Sequence, residues 1–233
     1  MKNLSSKAFS REMPPSALPE QEPDMRSEKW LFFDVGSTLI DETEALLHRI
    51  RETVDGSGVS VAEFTRAANA YYAEGIDGYQ AAVNDYALSK TPCHAEDERP
   101  YGDAASTLCA LKTRGYRLGI IANQTPGLNE RLRQWQILSF FDVIAASADC
   151  GFSKPDPEIV RYALRNAGCR PENAVMIGDR IDNDLLPAKA LGMRTVRILT
   201  GPSAVFPYSG DPVDSTVRSL SALLDLFPPL SSY

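Results

Sequence analysis

From Trp30 onward the chain alternates between two rhythms of apolar residues. "WLFFD" (30–34) is a short, continuous apolar run ending in a carboxylate, the pattern of a strand buried on both faces. From about Thr43 to Lys90 the apolar positions recur instead at helical spacing, as in "ETEALLHRIRETV" and "SVAEFTRAANAYYAEG". Ser60 is placed there as an N-cap, with Glu63 three residues on as its capping-box partner. A polar, proline-marked junction follows at "TPCHAEDERPYGD". Beyond it the pattern predicts helix 103–114, strand 116–122, helix 127–138, strand 142–145, helix 156–167, strand 174–178, helix 183–191, strand 194–199 and a last helix near 219–226. Strands alternating with helices of this length imply right-handed crossovers and a parallel sheet covered on both faces. Residues 1–28, rich in Ser, Pro and Glu, contain nothing that fills a core and read as a tail or linker, with Met25 as an alternative start.

Composition narrows the partners more than the fold. Net charge −7 and a pI near 5.0 argue against a surface built to displace phosphate counterions, so nucleic acid is not expected as a partner. No stretch approaches the ~18 to 20 apolar residues of a membrane span, and the first residues lack the apolar centre of a signal peptide. Cys93, Cys109, Cys150 and Cys169 lie far apart without a C-x-x-C pair, which suits reduced thiols in a cytoplasmic protein.

Ligands of open parallel sheets bind outside the carboxyl ends of the strands, where Asp34, Asn123 and Asp179 fall. A single carboxylate at a strand tip is often a helix cap or a turn residue. Several at neighbouring tips, with Asp182 and Asp184 close behind Asp179, need a cation to offset like charges, and oxygen ligands of this kind suit Mg²⁺. Lys154, in "SKPDPEIV", is either a solvated lysine before a proline-stiffened helix start or a clamp for a phosphate oxygen. Asn123 is equally able to donate to that oxygen or to cap the following helix.

Four motifs carry a resemblance to a known family. "DVGSTL" resembles a strand-tip D-x-D-x-T, "LGIIANQ" an apolar strand ending in a hydroxyl residue, "SKPDPEIV" the lysine of K-P-D-P, and "GDRIDND" a G-D-x-x-x-x-D. On these the chain is identified as a member of the haloacid dehalogenase-like hydrolase superfamily, from about residue 30 to the C-terminus. The resemblance implies a three-layer Rossmann-like α/β core (29–42 and 101–233) with an inserted α-helical cap (43–100). It further implies a Mg²⁺-dependent phosphatase acting on a small phosphorylated metabolite. Asp34 would be the nucleophile that becomes an aspartyl-phosphate, Asp179, Asp184 and the Gly36 carbonyl would join it around the metal, Lys154 would hold phosphate and nucleophile, and Asn123 and Thr38 would contact the phosphate.

Two positions depart from the family pattern. Gly36 stands where phosphatases of the family carry an Asp that protonates the leaving oxygen and then activates water, and Ala122 stands where they carry a hydroxyl. Losing such an acid typically costs 10² to 10⁴-fold, and losing one transition-state hydrogen bond on the order of 10²-fold. Without that acid, aryl and acyl phosphates are expected to be hydrolysed faster than alkyl ones and Gly36→Asp to help the alkyl ones more; the alternative is that the cap side supplies the acid, with Asp41, Glu42, Glu44 and His48 the nearest candidates in sequence. Dehalogenating members carry Tyr at the Gly36 site and need no metal, while phosphonate-cleaving members pair a small residue with a cap lysine, for which Lys90 is the candidate. The competing reading is a non-catalytic protein that senses a phosphate ligand or binds a partner through the cap. Tyr72, Tyr79 and Tyr86, at seven-residue spacing, read as the core of a helical bundle rather than a pocket lining, and His48 and His94 as structural residues.

Overall fold

The computed structural model describes residues 29–74, 76–205 and 213–230, so the tail expected over 1–28 lies outside the described residues. Its strands are β1 (Trp30–Phe33), β2 (Ile40–Asp41), β3 (Arg99–Pro100), β4 (Arg117–Ala122), β5 (Val143–Ala146), β6 (Ala174–Gly178), β7 (Arg194–Ile198) and β8 (Ser215–Val217). Its helices are α1 (Thr43–Val54), α2 (Val61–Ala73), α3 (Gly78–Asp85), α4 (Ala104–Thr113), α5 (Leu128–Gln134), α6 (Ser147–Cys150), α7 (Pro157–Ala167), α8 (Leu186–Ala190) and α9 (Leu223–Leu226).

Six strands form an all-parallel sheet in the order β5-β4-β1-β6-β7-β8. Every residue of β1 is buried, as a central strand requires, and alternate side chains serve opposite faces. Leu31 and Phe33 join Leu108 and Leu111 of α4 and Leu223 of α9 on one face. Trp30 and Phe32 join Ile159 and Ala163 of α7 and Ala188 of α8 on the other. The result is three layers, helix on sheet on helix. The strand order reverses direction at β1, and Phe33 is level with Ile120 of β4 and Ile177 of β6. The carboxyl ends of these central strands therefore flank one crevice.

Between β1 and β4 the chain makes a helical insertion with its own small core, in which Ile50 and Val54 of α1 meet Phe64 and Ala68 of α2 and Tyr79, Ala82 and Val83 of α3. The pairing of β2 with β3 ties the outgoing and returning connections together. His48 and His94 do the same nearby: their rings stack at 3.6 Å, His48 Nδ1 lies 2.7 Å from Asp97 Oδ2, and His94 Nε2 lies 2.9 Å from Glu52 Oε2. The capping box of α2 is present, with the Ser60 hydroxyl accepting from Glu63 N–H and the Glu63 carboxylate accepting from Ser60 N–H.

The structure corrects several boundaries. The tract 43–90 is three helices, the second starting after the expected Ser60 cap, and a break before Gly78 leaves Tyr72 on α2 and Tyr79 and Tyr86 on α3 and its end. The helix expected to reach 138 stops at Gln134, and the segment 181–185 is a wide π-type turn before α8. Strands β2, β3 and β8 are two or three residues long, too short for any periodicity to announce them. Among the described residues no helix is long and apolar enough to cross a membrane.

Candidate active site

Asp34 leaves the end of β1 anchored by its N–H, which donates to the Ile177 carbonyl of β6 at 2.9 Å. Lys154 comes from the loop between α6 and α7 and reaches under the sheet edge. Its Nζ donates to Asp34 Oδ1 at 2.5 Å and to Asp184 Oδ1 at 2.7 Å, and its side chain is 1% exposed. Asp184, on the wide turn after β6, also accepts the Arg180 N–H on Oδ2 at 3.0 Å. That turn brings the carboxylate so close to the strand that a Cβ on Gly178 would lie 2.5 Å from Asp184 Oδ2, which explains a glycine before Asp179. Asp179 is buried at the tip of β6 and accepts a long 3.5 Å hydrogen bond from the Thr38 hydroxyl. Asp182, by contrast, points away and takes both nitrogens of Arg180 at 2.7 and 3.2 Å.

Asp34, Asp179 and Asp184 each present an oxygen within 4.8 Å of the others. Three converging carboxylates are a set of oxygen donors that a hard divalent cation fits. Burial is the largest influence on Asp34 and raises its carboxyl to about 6, with Lys154 pulling it down and Asp184 pushing it up. For Lys154 burial works against the charge, but Asp184 and Asp34 outweigh it and hold the ammonium above its ordinary value.

The remaining expected residues fall into different positions. Asn123 braces the lysine loop: its Oδ1 accepts the Lys154 N–H at 2.7 Å and its Nδ2 donates to the Lys154 carbonyl at 2.8 Å. Thr38 is fully buried beneath the site, behind Asp179. Ala122 is fully buried in the core and brings no polar atom to the site. Tyr72 and Tyr79 border the cavity described next while also packing in the helical insertion, and Lys90, largely exposed, borders it as well.

The carboxylates face a cavity of about 690 Å³ closed on the other side by the helical insertion. Of the four substitute acids, Glu42 alone lines it. Asp41 accepts the Thr43 N–H at 2.9 Å, Glu44 is exposed, and His48 is paired with Asp97. Glu42 occupies the N-cap of α1 without capping it, because its side chain turns back to accept the Ser37 hydroxyl at 2.9 Å. Ser37 holds a left-handed backbone (φ 54°), and its carbonyl accepts the Thr200 hydroxyl. Burial is the largest influence on Glu42 and raises it to about 7; the Ser37 hydrogen bond opposes this and the charge of Asp34 adds to it. Ser37, Thr200 and Gly201 were not legible as site residues, because the last two arrive from beyond β7, Thr200 being 163 residues along the chain from Ser37.

A parallel α/β sheet, a lysine locked between two carboxylates at its carboxyl edge and a helical insertion beside them define a class of α/β hydrolases. The chain belongs to the haloacid dehalogenase-like hydrolase family, whose model matches residues 31–198. It is 40% identical over 137 residues to a glyceraldehyde 3-phosphate phosphatase of Methanocaldococcus jannaschii, an alignment covering 55% of this chain and 56% of that protein. The chain thus spans about half the length of the glyceraldehyde 3-phosphate phosphatases it matches. Pyrophosphatase PpaX of Bacillus velezensis is 29% identical over 207 residues, covering 84% of this chain and 94% of that protein. A crystal structure of a HAD phosphatase from Thermococcus onnurineus superposes with a TM-score of 0.63 at 24% identity, over 86% of this chain and 98% of that one, and shares the fold.

Proposed function

We propose that the protein is a Mg²⁺-dependent phosphatase of small phosphorylated metabolites, working through an aspartyl-phosphate on Asp34, with residues 43–100 acting as its cap. The observation that carries this reading is Lys154, buried between Asp34 and Asp184 at the floor of a cavity large enough for a small ligand. A lysine so placed neutralises a nucleophilic carboxylate and presents its remaining donor capacity to a phosphate oxygen. The named activities of the relatives, glyceraldehyde 3-phosphate phosphatase and pyrophosphatase, agree in class.

Asp34, Asp179, Asp184 and the Gly36 carbonyl would hold a bound Mg²⁺, which supplies positive charge to the phosphate. Asp34 is held by Lys154 and by the β1–β6 hydrogen bond, so that one oxygen faces the incoming phosphorus. Asn123 keeps the lysine loop in register. Tyr72, Tyr79 and Arg49, from the insertion, wall the cavity against water, and Arg49 itself lies 3.9 Å over the Tyr79 ring. The four unpaired cysteines suit a reducing cytoplasm. Turnover of phosphorylated metabolites should require Mg²⁺, stop with excess EDTA and be lost in Asp34→Asn; full activity in that variant or in chelator overturns the reading.

A further inference from the structure

The absence of an acid at Gly36 is matched by an acid in the space beside it. A Cβ built on Gly36 would lie 2.7 Å from both Glu42 oxygens and 2.9 Å from the Glu42 carboxyl carbon. The volume in which a side chain at 36 would start is therefore already filled by a carboxyl group that arrives from the start of α1. A side chain at 36 would have to displace that carboxyl group.

We propose that Glu42 is the general acid and base of this site, replacing from the cap-side connection the carboxyl that position 36 lacks. Three features converge on it. Glu42 lines the same cavity as Asp34 and Lys154. It is steered there by the Ser37 hydroxyl, and Ser37 is itself fixed by Thr200 and by Gly201, where a Cβ would lie 2.4 Å from the Ser37 hydroxyl oxygen. It also gives up the capping role its position at the helix start would offer. A carboxyl held by the hydroxyl of Ser37, a residue itself fixed by its left-handed backbone, by Thr200 and by Gly201, is a positioned one.

The proposal rests on the phosphatase reading and completes its proton balance. In the first step an Asp34 oxygen bonds to phosphorus and the bond from phosphorus to the leaving oxygen breaks; its electron pair departs with that oxygen, which takes the Glu42 proton and leaves as an alcohol. In the second a water oxygen bonds to phosphorus, Glu42 takes one of its protons, and the pair of the breaking Asp34–phosphorus bond returns to the carboxylate. Phosphate is released and Glu42 is again protonated.

The same geometry revises the expectation for Gly36→Asp. Alone it sets a second carboxylate against Glu42, so the informative change moves the carboxyl rather than adding one. The experiment measures kcat/KM, which reports the first phosphoryl transfer, for an aryl phosphate and an alkyl phosphate of similar size with Mg²⁺ present. An aryl oxygen leaves without a proton and an alkyl oxygen does not. Glu42→Gln should lower the alkyl value relative to the aryl one by about 10² to 10⁴-fold. The pair Glu42→Ala with Gly36→Asp should bring the ratio back to within about tenfold of wild type, a rescue that a structural role for Glu42 would not allow. A Glu42→Gln ratio equal to wild type overturns the role of Glu42 and leaves the phosphatase reading standing. Wild-type protein inactive on both esters overturns that reading, and the role with it.

Discussion

Glu42 shows how the physical state of one side chain follows from where the chain folds it. Its carboxyl moves from an ordinary 4.5 to about 7, chiefly through burial. A folded pKa raised above the unfolded one means that the native state holds the proton more tightly, so the stabilisation is complete below about pH 4.5 and is lost as pH rises through about 7. Glutamine is neutral throughout and loses nothing. In metal-free protein the melting temperature of wild type should therefore fall relative to Glu42→Gln between about pH 5 and pH 8, and a difference independent of pH would show that the charge is not buried. Much of the candidate site at this scale was legible: Asp34 and Asp179 end apolar strand runs, and Lys154 and Asp184 sit in short motifs that resemble those of the family. What was not legible was a choice among neighbours. Asp41, Glu42, Glu44 and His48 look alike as a string, and only the turn at Ser37, braced from Thr200, sends one of them into the cavity.

At the scale of elements, patterning was most reliable where it was longest. The parallel strands of the core and the capping box of α2 stand where apolar runs and the Ser60–Glu63 pair put them. The insertion is helical where the apolar period runs, and its second helix starts at the Ser60 cap. The α2 cap offers a check independent of the chemistry. Ser60→Ala removes an exposed cap hydrogen bond and should cost about 1 kcal/mol, lowering the melting temperature by about 2–4 °C. The hydroxyl does not line the cavity, so kcat/KM on a good phosphate ester should stay at the wild-type value. A large loss of activity would mean that the start of α2 shapes the site.

For the whole molecule, topology does what no single motif can. With β1 central and the strand order reversing there, residues from the beginning, middle and end of the chain meet at one edge: Asp34, Lys154, Asp184 and Thr200. The insertion leaves and returns at the same edge through β2 and β3, and Glu42, the residue immediately before α1, lines the same cavity as Asp34. The central claim is that Asp34 carries the phosphoryl group between substrate and water. Its most direct test is to mix wild-type protein with an aryl phosphate and Mg²⁺, quench in acid during turnover, digest, and locate the phosphoryl group by mass spectrometry. It should be found on the peptide containing Asp34, and in greater amount in Glu42→Gln, where water is no longer activated. Continued turnover with that peptide unmodified in both proteins, or the phosphoryl group on another residue, would contradict the account.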